Sequence, residues 1–150
     1  MTALVSADTL FLAANAVALW GWIALIASPL IPVWSNRIAA VLIPLLLSVA
    51  YTIMAALFFF GDVTIGDGGY MTLDAVQTLF SSKEAVLVGW LHVLAFDLFV
   101  GAWIVRTGRA EGVPFGVIVL CLIPTFLFGP AGFFLFHILR RFTARAPSAA

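Results

Sequence analysis

Apolar residues are concentrated in four long segments of the chain, and polar residues lie mainly between them. The four segments are residues 10–28, 38–60, 85–105 and 114–139. A helix needs roughly 20 mostly apolar residues to cross the ~30 Å hydrocarbon layer of a bilayer, and each segment has about this length. Strands of a membrane barrel would alternate in hydropathy over about 10 residues, and these segments do not alternate. The pattern therefore predicts an all-α integral membrane protein with four transmembrane helices.

The connections between the predicted spans differ in length. Residues 29–37 and 106–113 are short, so the first two helices and the last two are expected to form two antiparallel hairpins of one four-helix bundle. Residues 61–84 form a longer loop, and residues 142–150 form a tail that is predicted to be flexible. The chain is thus expected to be a single membrane domain.

The long loop contains a helical pattern of its own. Its apolar residues recur at roughly helical spacing after Asp74, at Leu73, Val76, Leu79 and Phe80. This spacing favours a short amphipathic helix lying in the membrane interface, with an ordered loop as the alternative.

Three prolines interrupt the predicted spans. Pro44, Pro124 and Pro130 each lack the backbone N–H that would continue the helical hydrogen-bond ladder, so a kink is expected at each. Residues 1–9 contain no Lys or Arg, which favours a retained first helix over a secretory signal or a transit peptide.

Composition narrows the class of partner. Hydrophobic residues make up 64% of the chain and charged residues only 9%, whereas soluble domains carry about 25% charged residues. Seven Lys and Arg balance seven Asp and Glu, so no basic surface for nucleic acid is expected. The single cysteine, Cys121, excludes an internal disulfide.

Membrane orientation depends on the distribution of basic residues. With four spans, both termini lie on one side of the membrane. That side carries Lys83, Arg140, Arg141 and Arg145, and the other side carries Arg37, Arg106 and Arg109. The positive-inside rule, applied to this small excess, predicts that both termini are cytoplasmic.

Two ionisable residues lie deep in the third span. Asp97 is near its centre, where a charged Asp costs about 2.5–3.5 kcal/mol on insertion scales, so it is expected to face the bundle interior. His92 lies five residues earlier, and this spacing leaves the two side chains about 140° apart around the helix. Both residues are candidates for function, and a purely structural role is the alternative for each.

Milder polar groups occur in the other spans. Ser, Thr, Asn and Tyr side chains in membrane helices most often bond to a neighbouring helix, an interaction worth about 0.6 kcal/mol. We interpret Ser48 and Thr52 in this way, and Asn15, Tyr51 and Thr125 have structural and functional interpretations of equal weight. The second histidine, His137, is interpreted as an interfacial residue.

Several kinds of chemistry do not fit this sequence. Two histidines are too few for a membrane di-iron centre. His92 and His137 lie at different predicted depths in the membrane, which does not favour a bis-histidine haem. Neither a nucleotide-binding glycine motif nor a Cys/His zinc cluster is present. We therefore predict no metal and no cofactor, which leaves acid–base chemistry on an apolar molecule or no catalysis.

The third and fourth spans carry a recognisable motif. Residues 90–104 read WLHVLAFDLFVGAWI, and residues 128–132 read FGPAG, shortly after Pro-Thr-Phe at 124–126. Together with Asn15 and Trp20, these blocks resemble the abscisic-acid-deficient-four family, the plastid membrane proteins of neoxanthin synthesis and their bacterial relatives. The resemblance covers nearly the whole chain.

The resemblance implies a role in carotenoid biosynthesis. In this family an epoxide of a xanthophyll is opened to an allenic alcohol, an isomerisation that needs a general acid and a base and no cofactor. The motif match implies His92 and Asp97 as the catalytic residues of a neoxanthin-synthase-like isomerase. The residues implied in substrate binding are Asn15, Tyr51, Phe96, Trp103 and Thr125.

The resemblance leaves two functions open. The first is the isomerase, acting on a carotenoid or another apolar isoprenoid. The alternative is a non-catalytic subunit that binds a carotenoid, as a homo-oligomer or within a pigment–protein complex. In either case we expect a bacterial inner-membrane protein in contact with lipid.

Overall fold

The computed structural model describes residues 6–61 and 68–144, and these residues form helices and turns without strands. The six helices are α1 (Ala7–Ile26), α2 (Pro32–Phe60), α3 (Leu73–Leu79), α4 (Lys83–Ala110), α5 (Phe115–Phe128) and α6 (Pro130–Thr143). Three of them, α1, α2 and α4, are long and apolar enough to cross a membrane. They overlap the first three predicted spans, although α2 begins at Pro32, inside the predicted connection 29–37, and α4 continues to Ala110.

Side-chain caps determine where three helices begin. The hydroxyls of Ser6, Thr72 and Ser82 accept hydrogen bonds from the backbone N–H three residues further on, at the start of α1, α3 and α4. The cap at Thr72 starts α3, which confirms the short helix predicted in the long loop. Leu79 of α3 is buried beside Phe58 of α2.

One turn of α2 is wider than an α-helical turn. Residues 38–42 form a π-helical segment, in which the N–H of Ile43 bonds to the carbonyl of Ile38. Pro44 follows directly and has no N–H to donate. The wide turn accommodates the proline, and the helix remains continuous to Phe60.

The central helix is α4, which packs against α1, α2, α5 and α6. It runs parallel to α1, because Lys83 lies 3.3 Å from Asp8 at one end and Arg109 donates to the carbonyl of Ser28 at the other. It runs antiparallel to α2, whose Asn36 accepts from Arg106. The helix that carries the central acid is thus packed against four others, while its face at Phe96 and Phe99 remains exposed.

The last two helices form a hairpin that folds back on itself. A Cβ atom at Gly132 of α6 would overlap Thr125 of α5, and Arg140 near the end of α6 lies 3.0 Å from Glu111, just before α5 begins. The turn is at Gly129. Each helix has 14 residues, about 21 Å at 1.5 Å per residue, which is short of the ~30 Å hydrocarbon layer. The predicted fourth span, residues 114–139, is therefore two antiparallel helices. We call this the half-length hairpin, because each of its helices has half the length of the 28-residue helix α4.

Because the hairpin folds back, the described chain begins and ends at opposite ends of the bundle. Ser6 lies at the end of the bundle where α4 begins, and Ala144 follows α6 at the end where α4 finishes. The expectation that both termini share one side depended on four crossings, and it does not hold for the described residues. Within the predicted tail, α6 continues to Thr143, and residues 145–150 lie outside the described ranges.

Large apolar side chains cover the outer surface of the long helices. Leu12 of α1 is 67% exposed, and Leu45 and Ile53 of α2 are more than half exposed. Such a continuous apolar surface is unfavourable in water and suits a hydrocarbon environment.

Candidate functional site

Asp97 lies halfway along α4, at the tip of the hairpin between α5 and α6. Gly129 at the tip is buried and has a φ angle of +38°. A Cβ atom at this glycine would overlap the carboxylate of Asp97. The absence of a side chain at Gly129 therefore allows the chain to turn directly against the carboxylate.

Thr125 is enclosed within the same hairpin. Its side chain is fully buried, and its hydroxyl donates to the carbonyl of Cys121 at 2.7 Å. Gly132 of the returning helix faces this hydroxyl. Thr125, a predicted substrate-binding residue, thus contacts the other half of the hairpin.

His92 lies on a different face of α4, next to α2. Its ring stacks on Phe96, one turn later, with centroids 4.7 Å apart, and it meets Tyr51 of α2 edge-on at 5.8 Å. The structure thus brings together His92, Tyr51 and Phe96 of the predicted site.

The residues around His92 line a groove of about 550 Å³ between α2, α3 and the first half of α4. This volume falls in the range of roughly 300–1,000 Å³ that is typical of small-molecule sites. Its aromatic lining residues are Tyr51, Phe58, Phe59, Tyr70, Phe80, Trp90 and His92. The groove follows α4 from Ala85 to Val93, about 12 Å along the helix axis.

Asn15 is linked to this groove by a hydrogen bond with Trp90, one of the lining residues. The indole Nε1 of Trp90 donates to Asn15 Oδ1 at 3.2 Å, while the amide of Asn15 donates to the carbonyl of Phe11 at 2.7 Å. The ring of Phe11 also lies 5.7 Å from the ring of Trp90. Asn15 therefore positions a wall of the groove and is not itself among the lining residues.

A second aromatic cluster surrounds Trp103, near the end of α4. The Trp103 ring stacks on His137 of α6, with centroids 5.4 Å apart and planes inclined by 7°. The same ring also contacts Phe133 and Phe136. His137, interpreted from sequence as interfacial, is partly exposed and stacks on a ring of the neighbouring helix. The one-turn spacing of His137 from Phe133 indicates the contact between these two rings, whereas no local pattern indicates the stacking on Trp103.

The predicted catalytic residues do not form a pair in the structure. His92 lines the groove, whereas Asp97 lies against the hairpin tip and is not among the lining residues. This division agrees with the separation of about 140° expected around the helix. Phe96 shares the face of His92, and Trp103 lies about 16 Å from His92 along the axis of α4. Within the described residues, no group of three His, Cys, Asp or Glu side chains could hold a metal ion.

These observations define a class of helical protein. It has three helices of membrane-spanning length, a half-length hairpin whose turn contacts Asp97, and an aromatic groove on its side. A family model described as ABA DEFICIENT 4-like matches residues 9–136. The chain belongs to this ABA4-like family, which is linked to carotenoid- and xanthophyll-related function. Neither the curated proteins nor the solved structures gave a match to the chain.

Proposed function

We propose that the chain is a membrane protein that binds one end group of a carotenoid, or of a similar apolar isoprenoid, in the aromatic groove. The observation that carries this proposal is the groove itself, in which His92 and Tyr51 are two polar side chains in mutual contact on a mainly aromatic and aliphatic wall. Aromatic rings supply large apolar contact surfaces for a ring and a conjugated chain. The two polar groups would orient an oxygen on the end group.

The dimensions of the groove favour an end group over a whole pigment. The groove extends about 12 Å along α4, much less than the ~30 Å hydrocarbon layer. The rest of an elongated polyene would continue past His92 along the exposed rings of Phe96 and Phe99 on the same face of α4. Binding from the side would allow the ligand to enter directly from the lipid.

The chemistry proposed for this site is the isomerisation of an epoxide to an allenic alcohol. A base removes the proton from the polyene carbon next to the epoxide. The C–O bond to the nearer epoxide carbon breaks, a new C=C bond forms, and the oxygen receives a proton to become a hydroxyl. We assign the contact with the substrate to His92 and Tyr51, and Asp97, which lies against Gly129 and not in the groove lining, is the second acid–base candidate.

Conversion of an epoxy-xanthophyll in a pigment-producing bacterial host tests the isomerase. The parent chain is expected to convert the epoxide, and His92→Gln is expected to reduce conversion by 10²-fold or more, the size of a typical general acid–base contribution. His137→Gln is the matched control, because it changes the other histidine, which lies outside the groove. Equal conversion by the parent and His92→Gln would remove His92 from the mechanism, and Asp97→Asn tests the second candidate in the same way.

A non-catalytic carotenoid-binding protein is the second candidate. It is favoured by the position of Asp97 outside the groove lining, which leaves few titratable groups near a bound end group. This function predicts that the purified parent retains the three-peaked absorption of a polyene and leaves the epoxide unchanged. Absence of both pigment and conversion would contradict both functions.

A further inference from the structure

The charged residues of the chain are divided unequally between the two ends of the bundle. The arginine end is the end where α4 and α6 finish, and its basic residues are Arg37, Arg106, Arg109, Arg140 and Arg141. Among the described residues, the only acid at this end is Glu111. The opposite end carries Lys83 with Asp8, Asp74 and Glu84.

This division results from the hairpin. If residues 114–139 crossed the membrane, Arg140 and Arg141 would lie at the same end as Lys83, and the basic residues would be nearly balanced. Because α6 returns along α5, Arg140 lies 3.0 Å from Glu111, at the end that already holds Arg106 and Arg109. The arginine end then has five described basic residues and the opposite end has one. The positive-inside rule therefore predicts that the arginine end is cytoplasmic.

The arginine end is also suited to contact with lipid headgroups. Arg37, Arg106, Arg109 and Arg141 are exposed, and Arg37 and Arg141 have no ion-pair partner among the described residues. Trp34, 59% exposed, lies at the same end, with the guanidinium of Arg37 at 5.6 Å from its ring. Exposed Trp beside Arg is typical of the membrane–water interface.

We propose that the arginine end binds the anionic phospholipid headgroups of the cytoplasmic leaflet. Its surplus of guanidinium groups complements the negative charge of that leaflet. The Ala144 end is then cytoplasmic and the Ser6 end faces the other side. The aromatic groove, which lies between α3 and the first half of α4, opens toward the non-cytoplasmic leaflet and takes its ligand from there. This last consequence rests on the proposed function, whereas the orientation does not.

Labelling of one introduced cysteine at a time in intact bacterial cells, with a membrane-impermeant maleimide, tests the orientation. The parent gives the background, because its Cys121 is buried. Ser81→Cys, at an exposed position before α4, is expected to react in intact cells. Ala144→Cys is expected to react only after the membrane is permeabilised. The reverse pattern, or equal reaction of both positions in intact cells, would overturn the proposal.

Lipid selectivity tests the headgroup contact separately. Purified protein is exposed to mixed micelles of phosphatidylglycerol and phosphatidylcholine, and the bound lipids are counted by native mass spectrometry. A preference for phosphatidylglycerol is expected, falling about five-fold for each arginine replaced in Arg37→Gln and Arg141→Gln. Lys83→Gln, at the other end, is the matched control and should keep the preference. Equal binding of both lipids by the parent would overturn the headgroup contact. Loss of pigment binding with the labelling pattern intact would contradict the proposed function alone.

Discussion

The carboxylate of Asp97 and the backbone of Gly129 are in direct contact, so the acid in the middle of α4 marks the depth at which the α5–α6 hairpin turns. An acid in a membrane-length helix is costly unless protein surrounds it. The hairpin tip covers Asp97 on one side, and Gly129 is the residue that permits this approach. The pair therefore links a functional candidate to the unusual topology.

Replacing Gly129 by Ala should destabilise the protein by about 2–4 kcal/mol. The φ angle of +38° is strained for a residue with a side chain, and the added Cβ would overlap the Asp97 carboxylate. Chemical unfolding in mixed micelles measures the change. Gly116→Ala is the matched control, because a Cβ at Gly116 has open space around it.

A double variant separates the two causes of this destabilisation. Gly129→Ala in an Asp97→Ala background removes the overlap with the carboxylate and leaves the backbone strain. The alanine at 129 should therefore cost less in that background than in the parent. An equal cost in both backgrounds would mean that the contact between the two residues is unimportant.

Gly101→Ala should loosen the packing of α1 on α4, at a cost of about 1–3 kcal/mol. A Cβ at Gly101 would come within 2.8 Å of the Trp22 ring, which is only 5% exposed and cannot move freely. A smaller residue at 22, in Trp22→Leu, should lower the cost of the alanine. Thermal unfolding of the two single variants and the double variant checks this, and additive effects would contradict it.

Gly89→Leu should block the aromatic groove. Gly89 lines the groove, and a Cβ there would lie 2.7 Å from the ring of Phe80, a partly exposed side chain that has room to shift. Folding should thus survive while pigment binding falls several-fold, measured as polyene absorbance per mole of purified protein. The control Gly116→Leu should retain its pigment. Full retention by Gly89→Leu would argue against the groove as the binding site.

The hydrogen bond between Asn15 and Trp90 should contribute about 0.6 kcal/mol, the average for polar contacts between membrane helices. Trp90→Phe keeps an aromatic ring and removes the donor, and Asn15→Leu removes the acceptor. A double-mutant cycle on the free energy of unfolding measures the coupling. A coupling of zero would show that Asn15 does not hold Trp90 in place.

Hydropathy predicted the three long helices and could not predict that the fourth apolar segment folds back as two shorter ones. Residues 114–139 are apolar throughout, and the hydrophobic pattern is the same for a helix that crosses and for two that fold back. The distinguishing signal is Gly129-Pro130, which combines a residue that tolerates positive φ with one that begins a new helix. A proline alone does not decide the matter, since Pro44 and Pro124 both lie within continuous helices.

The candidate site was predictable only where residues share one helix. The one-turn spacing of His92 and Phe96 already places their rings together, and the five-residue spacing already separates His92 from Asp97. The contact of His92 with Tyr51 depends on the register between α4 and α2, which no local pattern records. The enclosure of Thr125 likewise depends on the returning helix α6.

The half-length hairpin also determines an order of assembly. Neither α5 nor α6 is long enough to insert as an independent span, and hydrocarbon could not satisfy the backbone groups that helix ends leave without intrahelical partners. Its stable position exists only once α1 and α4 are in place beside it. The final 30 residues of the described chain should therefore join the bundle last, after the three long helices have entered the bilayer, and Asp97 is the residue that remains uncovered until they do.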